Sequence, residues 1–171
     1  LVAILEDVLP TLQGPILDIG SRNRRYDHLF KSVPIAIDLK ENKEKNVTFG
    51  DMANLAFEDS SFNSVTAIEV FEYVSNPTKA VSEMMRILKQ GGTLVLSVPF
   101  MIKVHDDKYR YTKQCLRELF STYEDITITP IGNAYTVILT ILWGGIKEIR
   151  FSPLRYLCNL AYIPFALLVG R

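Results

Sequence analysis

From Pro15 onward the chain alternates short apolar runs, bounded by turn residues, with longer stretches in which apolar positions recur every three or four residues. That alternation predicts an α/β sheet rather than a bundle or a sandwich. Strands are expected at 15–19, 33–38, about 46–49, 64–70 and 93–98. Each is short and rich in Val, Ile and Leu, as strands buried on both faces should be. A sixth is expected in YEDITITP, where Ile126 and Ile128 alternate with polar residues.

Between the fourth and fifth strands, Asn76-Pro77 opens a helix in which Ala80, Val81, Met84, Met85, Ile87 and Leu88 share one face, and Gln90-Gly91-Gly92 ends it. A helix is also expected to begin near Arg25, carrying His28. Another should start with Thr112 as its N-cap, with Leu116, Leu119 and Phe120 facing inward. Two apolar runs follow, 134–143 and 156–169. Each is shorter than the roughly 20 residues that a spanning helix needs, so both are expected to be buried or interfacial helices.

With 171 residues, 48% of them hydrophobic and 22% charged, the chain can bury one full core, which excludes disordered, collagen-like and disulfide-scaffold classes. Nineteen basic residues balance nineteen acidic ones, so no nucleic-acid partner is expected. The balance is uneven along the chain. Residues 131–171 hold Lys147, Arg150, Arg155 and Arg171 against Glu148 alone, so the chain divides into a domain at 1–130 and an apolar, positive extension at 131–171. Cys115 and Cys158 are far apart and lack the spacing of a metal site, so no metal is expected and a reducing, cytoplasmic setting fits. The opening at Leu1 suggests a piece of a longer protein, and its acids and Pro10 do not follow the order of a signal peptide.

Candidate chemistry begins at ILDIGSRNRRYDHLF, where Asp18 and Gly20 fall at the end of the first strand. In an open parallel sheet ligands bind at the carboxyl ends of strands, and a glycine there lets backbone amides come close. About twenty residues later the second strand ends in Asp38, whose carboxylate can accept hydrogen bonds from both hydroxyls of a ribose. Taken alone, an Asp that ends a strand is as readily a cap or a turn residue.

The motifs that follow are more specific. They comprise Asn54-Leu55-Ala56-Phe57-Glu58-Asp59-Ser60-Ser61-Phe62, Glu69-Val70-Phe71-Glu72-Tyr73-Val74, Arg86-Ile87-Leu88-Lys89-Gln90-Gly91-Gly92, Ser97-Val98-Pro99-Phe100, and His105 with Arg110-Tyr111-Thr112. In this order they resemble the class I S-adenosylmethionine-dependent methyltransferases, specifically the small type 11-like branch. The resemblance implies a Rossmann-like, doubly wound, mostly parallel sheet with helices on both faces. No convincing seventh strand follows YEDITITP, so the family's last strand is expected to be missing from this chain.

The resemblance also implies a cofactor, S-adenosylmethionine. Asp18 and Gly20 would line its methionine part, Asp38 its ribose, and Asp51 with Met52 its adenine. Glu69 would face cofactor and substrate at the end of the fourth strand. The sequence departs from the family's DxGxGxG at Arg22 and Arg24, and Tyr73 replaces the usual His. These departures keep open an alternative, a degenerate domain with a scaffold or regulatory role. A dinucleotide-dependent oxidoreductase shares the strand–glycine–helix–acid order, but it lacks these later motifs and would need an intact GxGxxG.

An oxygen nucleophile needs a base, and His105, placed after the fifth strand with an ordinary pKa near 6.5, is the candidate ahead of Asp106, Asp107 and Tyr109. The expected activity is methyl transfer to a hydroxyl oxygen of a small or lipid-linked acceptor. Arg22, Arg24 and Arg25 are expected to be a solvated cluster. Trp143, Tyr156 and Tyr162 beside Lys147, Arg150 and Arg155 suit a bilayer interface, so peripheral membrane contact through 134–169 is expected, with a homodimer interface as the competing use of this surface.

Overall fold

The computed structural model describes residues 1–100, 107–123, 125–148, 150, 152, 153 and 156. The chain divides into two compact units, residues 1–99 with 107–126, and residues 100–106 with 127–171. The expected base His105 and the second apolar run, apart from Tyr156, lie outside the described residues.

The first unit is built on five parallel strands: β1 (Ile16–Ile19), β2 (Ile35–Asp38), β3 (Val47–Phe49), β4 (Phe62–Ile68) and β5 (Leu88–Ser97). Their order is β3-β2-β1-β4-β5, so the winding direction reverses between β1 and β4, where such sheets open a crevice at their carboxyl ends. Each strand overlaps its expected segment, although β4 starts and ends two residues earlier and β5 starts five residues earlier, taking into the strand Leu88 and the Gln90-Gly91-Gly92 expected to close the helix.

Register sets what each face carries. Leu17 pairs with Val65 and Ile19 with Ala67, and this face is covered by helix α2 (Pro77–Ile87) through Ala80, Val81, Met84 and Ile87. Asn76 caps α2, its side chain accepting from the Lys79 amide at 3.1 Å. Ile16 and Ile68 lie on the opposite face, where helix α1 (Val2–Val8) and the turn after it bring in Leu5, Leu9 and Leu12. Helix α3 (Lys113–Leu119) starts, as expected, with Thr112 accepting from the Cys115 amide, and Phe120 joins the core.

Two expectations are corrected. Instead of a helix from Arg25, the β1–β2 connection holds only a 3-10 turn at Asp27–Leu29, with His28 on it. Arg24 takes a left-handed φ of 50°, and its guanidinium donates to the carbonyls of Pro34 (3.0 Å) and Asn46 (3.2 Å) and to the Asp27 carboxylate (2.5 Å). The connection is thereby held across the sheet edge and not wound into a helix. The second correction is at YEDITITP. Residues 125–130 form no strand, and Asp125 at φ 57° interrupts the extended run that a strand requires.

In the second unit, helix α4 (Ala134–Glu148) matches the first apolar run. Among the described residues no helix is long and apolar enough to cross a membrane.

Candidate active site

The switch point between β1 and β4 brings Asp18, Gly20, Asp38 and Glu69 to one end of the sheet. Asp18 is only 5% exposed, and its Oδ1 accepts a hydrogen bond from Thr66 Oγ1 on β4 at 2.6 Å. Burial pushes its carboxyl up from 3.8 to about 6, with the Thr66 hydrogen bond pulling the other way. Gly20 leaves the strand at φ +77°, and a Cβ there would stand 2.4 Å from Val70 Cγ2. No other residue fits this turn between β1 and the segment after β4 without displacing one of them.

The loop after Gly20 runs toward Asp38. The Arg22 amide donates to Asp38 Oδ2 at 3.2 Å and the Lys40 amide to Oδ1 at 2.9 Å. An ionised carboxylate offers about four acceptor positions, so roughly two remain for a diol. Arg22 itself is exposed, and its carbonyl accepts from Asn42 Nδ2. Gly50 ties the ends of β2 and β3 together by donating to the Asp38 carbonyl. Asp51 then closes a turn, its Oδ1 accepting from the Ala53 amide at 2.9 Å, while Met52 is packed within the main core cluster.

Glu69 follows β4 in the left-handed region, at φ 52°. Its Oε1 accepts from Ser97 Oγ at 2.9 Å, and its amide donates to the Ser97 carbonyl. The tips of β4 and β5 are thus joined through the site. The basic residues after Gly20 divide in use, since Arg24 is built into the scaffold whereas Arg22 engages through its backbone.

Three positions carry roles that spacing alone does not disclose. Thr66 meets Asp18 only because the parallel register places them side by side. Glu72, in the turn after β4, is 2% exposed. Burial pushes its carboxyl up from 4.5 to about 7, with Glu69 and Asp107 adding to the rise and Arg110 opposing it. Tyr111, 5% exposed, packs its ring against Phe71 at 5.1 Å and Tyr109 at 5.8 Å, and burial pushes its hydroxyl up. Both residues stand in motifs visible in the sequence, but nothing in a motif marks a side chain as buried. Away from the site, a groove of about 480 Å³ lies along β2 and β3, lined by Arg24, Val33, Ile35, Lys45 and Thr48 among others. Its one carboxylate is Asp27, and it includes none of Asp18, Asp38, Asp51, Glu69 and Glu72.

Comparison with known proteins bears on the family and the fold. Residues 18–96 match the family model described as a methyltransferase domain. The chain is 26% identical over 112 residues to an uncharacterised protein of Methanocaldococcus jannaschii, covering 59% of this chain and 54% of that protein. It is 33% identical over 86 residues to a demethylmenaquinone methyltransferase of Paenarthrobacter aurescens, covering 50% of this chain and 34% of that one. The chain therefore spans about half the length of the first relative and a third of the second. In fold it is similar to phosphoethanolamine N-methyltransferase 2 of Haemonchus contortus, whose structure holds S-adenosyl-L-methionine. The TM-score is 0.63 at 20% identity, over 99% of this chain and 48% of that one.

Proposed function

We propose, from the match of residues 18–96 to the methyltransferase domain model, that this chain belongs to the class I S-adenosylmethionine-dependent methyltransferases and transfers a methyl group from S-adenosylmethionine to a hydroxyl oxygen of a small or lipid-linked acceptor. The observation that carries this reading is the loop after β1. Although two of its glycines are replaced, it keeps the close approach at Gly20, turns the Arg24 side chain into the scaffold, and delivers the Arg22 amide to Asp38.

The cofactor would supply a methyl group on a positively charged sulfur, open to in-line displacement. The protein's part is then mainly alignment, which can supply about 7–11 kcal/mol of the barrier. Asp38 would take the ribose diol on its remaining acceptor positions. Asp18, shielded from water, would face the cationic methionine end, and a positive charge there would favour its ionised form. Glu69, fixed by Ser97, would border the methyl group and the acceptor.

Titration calorimetry with S-adenosylhomocysteine tests the site. We expect micromolar binding, about −8 kcal/mol, weakened at least about tenfold by Asp38→Ala. An absence of heat at several temperatures together with an absent thermal shift would overturn the proposal.

A lipid-linked acceptor agrees with helix α4. Tyr135, Ile138 and Leu142 fall at three- and four-residue steps, and with Ile141 all are about half exposed, while Lys147 sits 5.0 Å from the centre of the Trp143 ring. In sedimentation with anionic liposomes, the full chain should pellet with lipid and an I138S/I141S/L142S variant should stay largely in the supernatant. Equal sedimentation of the two would remove α4 from the membrane reading.

A further inference from the structure

Arg22 and Arg24 stand where the DxGxGxG pattern has glycines, and the β1–β2 connection lacks a helix that would hold its first turn by backbone bonds. The turn is held from elsewhere. The connection between β2 and β3, residues 39–46, reaches it at three successive residues. Asn42 Nδ2 donates to the Arg22 carbonyl at 3.1 Å, and Lys45 Nζ donates to the Asn23 carbonyl at 2.9 Å. In return, Arg24 Nη1 donates to the carbonyls of Lys45 (3.4 Å) and Asn46 (3.2 Å). Arg24 thereby keeps the left-handed backbone, φ 50°, that a glycine would take without strain.

The support is itself anchored. The Asn42 amide donates to the Val47 carbonyl at 3.0 Å and the Val47 amide donates back to the Asn42 carbonyl at 2.9 Å, so Asn42 is tied to the edge strand β3. In turn β3 pairs with β2, which ends in Asp38. Residue 22 is thus gripped on both sides, its amide donating to Asp38 Oδ2 at 3.2 Å and its carbonyl accepting from Asn42. The Asn42 side chain bonds at the surface and adds little to global stability. What it sets is whether the Arg22 amide is in place when a ligand arrives. A loop ordered beforehand need not be ordered on binding, and that difference appears as affinity.

We infer that Asn42 is a positioning residue of the cofactor site: from the β2–β3 connection it holds the Arg22 peptide so that the amide stays on Asp38 and fixes the carboxylate that takes the ribose. The inference deepens the methyl-transfer reading and rests on it. Residues 39–46 then do from outside the loop what glycines and a following helix would do within it.

Calorimetry with S-adenosylhomocysteine on the full chain tests it through two variants, Asn42→Ala and Asn42→Asp, the second keeping the shape but replacing the donor with a carboxylate oxygen. Each should weaken binding about fivefold, the share of one lost hydrogen bond. Added to Asp38→Ala, Asn42→Ala should change affinity by less than about twofold, because the Arg22 amide then has no carboxylate to hold. A general loosening of the fold would instead weaken both backgrounds alike. In the ligand-free, isotope-labelled chain, Asn42→Ala should speed hydrogen exchange at the Arg22 amide about tenfold. The Gly20 amide, bonded to the Ile37 carbonyl at 2.8 Å, should exchange as before. Where the unaltered chain binds, either variant binding within about twofold of it, equal losses in the two backgrounds, or unchanged exchange at Arg22 would overturn the inference alone. An unaltered chain that binds no S-adenosylhomocysteine would overturn the methyl-transfer reading, and this inference with it.

Discussion

Asp18 and Glu72 are carboxyls placed where water does not reach, and both hold protons more tightly than a free side chain does. The consequence for stability has a definite sign. Below pH 3.8 Asp18 is neutral in the folded and the unfolded chain. Between 3.8 and about 6 the folded chain binds more protons, so stability falls as pH rises through that window. A rise of about two units corresponds to about 3 kcal/mol. Glu72 acts in the same direction between 4.5 and about 7. Urea denaturation should therefore show the ligand-free protein gaining stability as pH drops from 8 to 5, with Asp18→Asn stabilising by about 1–3 kcal/mol at pH 8 and by little at pH 4. A variant no more stable than the unaltered chain at pH 8 would show that Asp18 is not desolvated. Asp18, Gly20 and Asp38 could be singled out from sequence because each ends or follows a strand. The division between Arg22 and Arg24 could not, since adjacent arginines in a loop are distinguished only by what lies within reach of each.

At the scale of elements, α2 is attached to the loop before β4 by two of its side chains, Arg86 and Glu83. Arg86 donates to the carbonyls of Leu55 and Phe57 at 2.9 and 2.8 Å and pairs with Glu83 and Asp59, while Glu83 Oε2 also accepts from the Leu55 amide. The carbonyls are the decisive partners, because Arg86→Ala leaves acceptors without donors, whereas Asp59 is exposed and its ion pair is screened. In chemical denaturation Arg86→Ala should cost about 2–4 kcal/mol and Asp59→Ala less than about 1. Equal losses in the two would shift the weight to the ion pair. The helix itself was legible from Asn76-Pro77 and its apolar spacing. The crossover helix expected from Arg25 failed because local pattern cannot see that Arg24 will find carbonyls of Pro34 and Asn46, ten and twenty-two residues along the chain. The strand at 123–130 failed for a related reason: alternation of Ile126 and Ile128 describes a strand only if the backbone stays extended, and Asp125 does not.

At the scale of the whole molecule, five short apolar segments become one parallel sheet, and the reversal of direction at β1 and β4 gathers Asp18, Asp38 and Glu69 at one end. By itself the sequence determined the α/β class, the approximate segments of the five strands, the N-caps of two helices and the candidate residues at strand tips. These follow from periodicity, capping and turn chemistry, which act over a few neighbouring residues. The tertiary structure alone decided the pairing of Thr66 with Asp18, the seating of Arg24 in the scaffold, and the burial of Glu72 and Tyr111 without partners. Register, burial and desolvation depend on atoms brought together from distant parts of the chain, and no local pattern records them.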